Sequence, residues 1–217
     1  DLDQNERSLF DNSTLAAQCR ARGWIAVCPF GRGNSGYMLA GERDVLEVLQ
    51  AVRAEGHVDA RRLYLTGHGM GGTGTWLLAL RHPALFAAAS PVAGYGDLEQ
   101  SDIFKLLEFQ PAERGWFDAH NPVRLVRSAP QTAFRIVHGE HDAVVSPVHA
   151  RIMDARLKDL GIAHDFVLDR SGDHGPRFFD AQLGAICSYL EAHTLPAGGA
   201  PNDSLFASSG GPICDVF

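Results

Sequence analysis

The stretch Leu63–Gly74, LYLTGHGMGGTG, carries the residue types and spacing most suggestive of chemistry. An apolar run enters a glycine-rich turn and continues into an apolar helical stretch, TWLLALRHP, which stops before Pro83. A sharp strand–turn–helix of this kind forces its central residue, Gly69, into a strained positive-φ geometry, and a side chain two positions to either side would collide with the neighbouring strand and helix. Gly67, Gly71 and Gly72 answer that demand, although such a turn alone equally suits a phosphate-cradling loop or a plain strand-to-helix connection. A second group, His138, Glu140, His141 and Asp142, closes another apolar run. Side chains alternate along a strand and no HExxH pattern is present, so this cluster does not read as a metal site. Asp142 taken singly reads as a turn or helix-cap residue, and His174, in RSGDHGP, as a solvated loop residue. Cys28 ends an apolar run and would need a neighbouring base to act as a thiolate, so a buried structural role is the commoner reading. Ser35 and Ser171 read as loop residues, and Trp116 and Phe117 either line an acyl or sugar pocket or belong to the core.

These groups must be positioned by elements legible in the hydrophobic pattern. Short apolar runs alternate with longer amphipathic stretches, which is the signature of a mostly parallel sheet with helices on both faces, an α/β fold. Strands are expected at Trp24–Cys28, Leu63–Thr66, Ala87–Pro91, Ala133–His138 and His164–Leu168. Helices are expected over Leu9–Arg22, Glu42–Glu55, Gly71–Arg81, Ser146–Leu160 and Arg177–His193, the first and fourth ending at Gly23 and Gly161 as left-handed caps. The segment Gly96–Pro130 reads as one or two short helices with a loop, a candidate partial lid. Residues 1–194 form one domain, and the Gly-, Pro- and Ser-rich residues 195–217 read as a flexible tail.

Composition narrows the function class. The 217 residues are 45% hydrophobic and 21% charged, as in an ordinary globular domain, and the net charge of -7 offers no basic surface for nucleic acid or anionic lipid. No apolar run reaches the roughly 20 residues needed to span a bilayer, so a soluble protein without a membrane partner is expected. Cys19, Cys28, Cys187 and Cys214 are too scattered for a disulfide framework or a zinc knuckle. No cofactor motif is identified, and a small-molecule substrate fits the charge balance. The chain starts at Asp1 with no leader-like segment before the folded pattern, so it reads as processed, trimmed or incomplete.

The segment GHGMGGTGTW resembles the nucleophile elbow of α/β-hydrolases, most closely the prolyl-oligopeptidase-like and dienelactone-hydrolase-like esterases, whose usual form is GHSMGG. The flanking VDARRLYLTG and RHPALFAAASPVAG, the loop GRGNSGY at Gly31–Tyr37, and HGEHDAVV resemble the same family, so the similarity spans roughly Gly23 to Leu190. The resemblance implies an α/β-hydrolase fold and hydrolysis of a carboxylic ester or peptide by a Ser-Asp-His triad. Asp142 matches the acid, His174 the base, Gly69 the nucleophile position, and Met70 the residue whose backbone N–H donates to the oxyanion.

Two departures follow from the same resemblance. Glycine stands at 69 where the family has serine, so the group that would form an acyl-enzyme is missing. The family also has a strand carrying a second oxyanion donor, ordered between Trp24–Cys28 and Leu63–Thr66, and its N-terminal strands are not found here. Three readings are expected to compete: a serine hydrolase with its nucleophile replaced, a non-catalytic relative that binds a small ester- or peptide-like ligand or a partner, and an incomplete hydrolase fragment.

Overall fold

The computed structural model describes residues 8–11, 13–101, 104–105, 108–129 and 131–197. In chain order its elements are α1 (Ser8–Asp11), α2 (Leu15–Arg22), α3 (Ala40–Ala54), β1 (Tyr64–His68), α4 (Met70–Arg81), β2 (Ala88–Val92), α5 (Pro111–Asp118), α6 (Pro122–Leu125), β3 (Ala133–Gly139), α7 (Val148–Asp159), β4 (His164–Asp169) and α8 (Pro176–Glu191). The four strands are all parallel and lie in the order β1-β2-β3-β4.

Parallel strands bury both faces, and this sheet does so with helices on each side. Against one face, Leu15 and Cys19 of α2 and Phe178, Phe179, Leu183 and Ile186 of α8 pack on Ala88, Val92 and Val137. Against the other, Trp76, Ala79 and Leu80 of α4 and Ala150, Met153 and Leu157 of α7 enclose Ala89, Phe134 and Ile136. The α3 helix adds Val45 and Leu46 against Leu63, Leu78, Leu85 and Phe86. Trp76 stacks on Phe134 at 5.0 Å between ring centroids, tying α4 to β3.

Pro91 lies in a central strand, where a missing N–H would leave an acceptor on β3 unpaired. Ala93 N donates to Val137 O at 3.0 Å, so two residues earlier the ladder calls for a donor from position 91 to Arg135 O. Ser90 Oγ fills that role, donating to Arg135 O at 2.9 Å, and Ser90 is fully buried. A local side chain thereby completes the ladder that proline interrupts.

The expected strand at Trp24–Cys28 is not formed, and the reason is one of pairing. The segment has the alternation of a strand: Trp24, Ala26 and Cys28 pack on the core beside α2 and α8, while Ile25 and Val27 are 56% and 40% exposed. Its backbone has no ladder with β1, because a cleft of about 1320 Å³ lined by both segments lies between them. On β1, Leu63 O accepts from Ala87 N and Gly69 N donates to Val92 O, so odd-numbered residues turn their backbone groups toward β2. Tyr64, Thr66 and His68 therefore turn theirs toward the cleft, where β1 has no strand neighbour among the described residues.

The expected helix over Leu9–Arg22 is interrupted at Ser13 and Thr14, where Thr14 N and Oγ1 donate to Asp180 Oδ1 at 2.6 and 2.9 Å, holding the entry of α2 against α8. Gly23 and Gly161 adopt φ of 64° and 67°, as left-handed caps require. Gly96–Pro130 contains α5, α6 and two single 3-10 turns. At the end of the fold Leu195 is buried and its N–H donates to Arg61 O at 3.0 Å. Residues 198–217, most of the expected tail and with it Cys214, lie outside the described residues. Among the described residues no helix is long and apolar enough to cross a membrane.

Candidate active site

In a parallel sheet ligands gather at the carboxyl ends of the strands, and three such ends meet here. β1 ends at His68, Gly69 turns the chain at φ 59° and ψ -116°, and α4 begins at Met70. The close approach of α4 to β1 and β2 sets the glycine requirement: a Cβ on Gly67 of β1 would lie 2.4 Å from Gly71 O, and one on Gly72 would lie 2.4 Å from Val92 O of β2. Gly71 departs from the expectation, since a Cβ there meets nothing within 4 Å. The crowding at this position falls on its carbonyl, which Gly67 faces.

Asp142 follows β3 and His174 follows β4, and the two loops are laced together by backbone bonds. Glu140 N donates to Asp169 O at 2.8 Å and His141 N to Gly172 O at 2.9 Å. Gly139 and Gly172 touch so closely that a Cβ on Gly139 would lie 2.5 Å from the carbonyl of Gly172. His174 Nδ1 consequently lies 2.7 Å from Asp142 Oδ2.

The Asp142 carboxylate is fully occupied. Its Oδ1 accepts from Val144 N and Val145 N at 2.9 and 2.8 Å, and its Oδ2 faces His138 Nε2 at 3.2 Å as well as His174. Burial raises its pKa, but the hydrogen bonds from His174, Val145 and Val144 outweigh that and hold the carboxyl below its usual value. His138 Nε2 also lies 2.9 Å from Val145 O, which can only accept, so this nitrogen carries the proton and donates to both. Burial lowers the pKa of His138 from its usual value.

Gly69 and His174 face each other. A Cβ on Gly69 would lie 3.1 Å from His174 Nε2 and 3.5 Å from Cε1, with no other contact within 4 Å beyond the adjoining residues. His68 packs beside them, its ring 4.5 Å from that of His174 and 5.5 Å from that of Phe179. Burial, then the neighbouring His174, lowers the His68 pKa to about 4, and its buried Nε2 has no hydrogen-bond partner among the described residues. Met70, as the first residue of α4, presents an N–H with no intrahelical acceptor at the positive end of the helix dipole. His68, Gly69, Met70 and His174 all border the cleft beside β1.

Of the residues singled out in the sequence, Gly69, Met70, Asp142 and His174 are thus brought together. The others go elsewhere. Burial pushes the Cys28 thiol up to about 11, which disfavours a thiolate. Ser35 Oγ donates to Gly31 O and Ser171 Oγ to Asp169 Oδ1, both within their own loops. Phe117 is 1% exposed among Phe104 and Phe109, while Trp116 is 46% exposed and stacks on His120. Glu140 pairs with Arg151 away from Asp142, and among the described residues no three His, Cys, Asp or Glu side chains converge to hold a metal. His68 and His138 were not assigned to the site from sequence. Their only signal was position, beside the elbow and four residues before the acid.

Solved structures of the same architecture define the fold class. The S-formylglutathione hydrolase of Agrobacterium tumefaciens superposes with a TM-score of 0.71 at 20% identity over 88% of this chain and 80% of its own. The S-formylglutathione hydrolase FrmB of Staphylococcus aureus gives 0.68 at 19% over 88% and 78%. An acylaminoacyl peptidase gives 0.61 at 22%, with 76% of this chain covering 31% of that larger one. The fold is that of the α/β-hydrolases. Within it, the profile of the prolyl oligopeptidase family matches residues 36–186, and the chain belongs to that family. No curated protein sequence matches it significantly.

Proposed function

We propose that the chain carries a serine-hydrolase-type site for a small carboxylic ester or peptide-like ligand, with Gly69 at the nucleophile position, Asp142 and His174 as acid and base, and Met70 N–H as an oxyanion donor. The observation that carries this reading is that the side-chain direction of Gly69 points at His174 Nε2, 3.1 Å from the Cβ position, while His174 Nδ1 is held by Asp142. A hydroxyl at that position would lie within reach of an oriented base, which is the requirement for nucleophilic catalysis. The names of structural neighbours, S-formylglutathione hydrolase and acylaminoacyl peptidase, are those of hydrolases and support a hydrolase reading.

Without a hydroxyl at 69 no acyl-enzyme forms there, and loss of such a nucleophile costs roughly a millionfold in turnover. The chain is therefore inactive by the covalent route. Gly69→Ser tests the assignment. The variant is expected to label with a fluorophosphonate at residue 69 and to hydrolyse short activated esters, and both properties should vanish on adding His174→Ala. A folded Gly69→Ser protein that neither labels nor turns over would replace this reading with that of a non-catalytic ligand-binding relative.

A further inference from the structure

We propose that this glycine-bearing site hydrolyses activated esters directly, with water as the nucleophile and His174 as its general base, and without a covalent intermediate. The inference rests on the assignment of His174 and Asp142 as base and acid made above, and it specifies the substrates that remain open to the chain as it stands.

Three observations carry it. First, around the position a Cβ would take on Gly69, the only heavy atoms of the described residues within 4 Å, beyond the adjoining residues, are Nε2 and Cε1 of His174. Glycine lacks the hydroxymethyl group of serine, whose bulk is close to a water's share of liquid volume, about 30 Å³. A water fits where the serine side chain would project, provided it can enter. Second, His68, Gly69, Met70 and His174 all border the cleft that the described residues form beside β1, which connects this position to the cleft's interior. Third, His174 Nδ1 lies 2.7 Å from Asp142 Oδ2 and donates to it, which leaves Nε2, 3.1 Å from the Cβ position on Gly69, as the ring nitrogen that can accept a proton.

The step balances. As the water oxygen bonds to the carbonyl carbon, one water proton passes to His174 Nε2, and the carbonyl π pair moves onto oxygen beside Met70 N–H. The resulting imidazolium is offset by the Asp142 carboxylate. Collapse of the tetrahedral species breaks the bond to the leaving oxygen, and His174 returns its proton to that oxygen or to solvent. The products are a carboxylic acid and an alcohol or phenol.

With a neutral water as attacking group and no acyl-enzyme to divide the barrier, the tetrahedral species advances only when the leaving group is good. Aryl esters are accepted on this route and anilides or peptides are not.

The test is hydrolysis of p-nitrophenyl acetate by the unaltered chain, with p-nitroacetanilide as the counter-substrate. Expected are ester turnover at least tenfold above that of His174→Ala, no initial burst, no acetyl adduct by intact mass, no inhibition by a fluorophosphonate, and no anilide cleavage. Gly69→Ala should fall to the level of His174→Ala, because its methyl group takes the place of the attacking water. Circular dichroism establishes that each variant is folded, and His174→Ala decides the matter should Gly69→Ala fail to fold. Equal rates in the unaltered chain and His174→Ala overturn the proposal, as does an acetyl group on His174 or Cys28, which would mean covalent transfer. Failure of this inference is separable from failure of the site assignment. If Gly69→Ser labels while the unaltered chain shows no His174-dependent turnover, only the water route falls. If the unaltered chain turns over through His174 while a folded Gly69→Ser does not label, the serine-type assignment falls and the dyad chemistry stands.

Discussion

Alanine substitution of the elbow glycines one at a time separates backbone crowding from mere sequence pattern. At Gly72 the new Cβ would lie 2.4 Å from Val92 O and 3.0 Å from Gly94, and at Gly67 it would lie 2.4 Å from Gly71 O. Non-bonded heavy atoms settle at roughly 3.5 Å, so each substitution asks α4 to withdraw by about 1 Å from a backbone atom that has no alternative rotamer. Overpacking of this kind costs about 1–3 kcal/mol, which in a domain of this size lowers Tm by about 2–12 °C. At Gly71 the new methyl meets nothing within 4 Å, and the residue lies in the first turn of α4. Alanine there improves helix propensity by up to about 1 kcal/mol and should leave Tm unchanged or raise it by up to about 4 °C. Thermal unfolding followed by circular dichroism at 222 nm reads all three. Equal losses at Gly71 and Gly72 would refute the argument, since nothing in the contacts of Gly71 could account for them.

Stability is expected to fall as the pH drops from 6.5 toward 4. Burial lowers His68 and His149 to about 4, so in that window the unfolded chain takes up protons that the folded chain refuses. By pH 5 the loss is on the order of 1 kcal/mol per histidine, and urea midpoints that do not differ between pH 7 and pH 5 would contradict it. Ser90→Ala removes the donor to Arg135 O beside Pro91 and should cost about 1–3 kcal/mol, whereas Ser90→Thr keeps the hydroxyl and should retain part of the bond. Comparable chemical-denaturation midpoints for wild type and Ser90→Ala would count against it. Along β1, amide exchange should alternate, fast at Tyr64, Thr66 and His68 and slow at Leu65 and Gly67. Uniform protection by NMR would mean that the edge facing the cleft is paired.

The elbow was legible because its requirement is local: a strand running into a helix within one residue needs a positive φ, and Gly69 supplies it. Asp142 and His174 were ambiguous one at a time and acquired meaning only through their order relative to the elbow, which a parallel sheet converts into proximity. Trp24–Cys28 shows the limit of periodicity. The alternation of its faces is written in the sequence and recovered in the packing, but strand pairing depends on a neighbour far along the chain. The break before α2 had a local signal in Ser13 and Thr14, though its anchor, Asp180, is distant. His68 and His138 were missed because what distinguishes them is burial against other elements, and the difference between Gly71 and Gly72 lies in a distance to β2 that no sequence pattern encodes.

The one-sided pairing of β1 has a mechanical consequence for the elbow. Among the described residues, His68 and Gly69 end a strand whose backbone ladder is with β2 alone, and α4 follows directly from it. The loops that carry Asp142 and His174, by contrast, are bolted to each other at Glu140–Asp169 and His141–Gly172. Within the described residues the backbone bonds that fix Asp142 and His174 relative to each other therefore outnumber those that fix Gly69 and Met70 relative to either. The spacing of 3.1 Å between the Cβ position on Gly69 and His174 Nε2 thus joins two separately held pieces, the β1–α4 turn and the paired loops after β3 and β4.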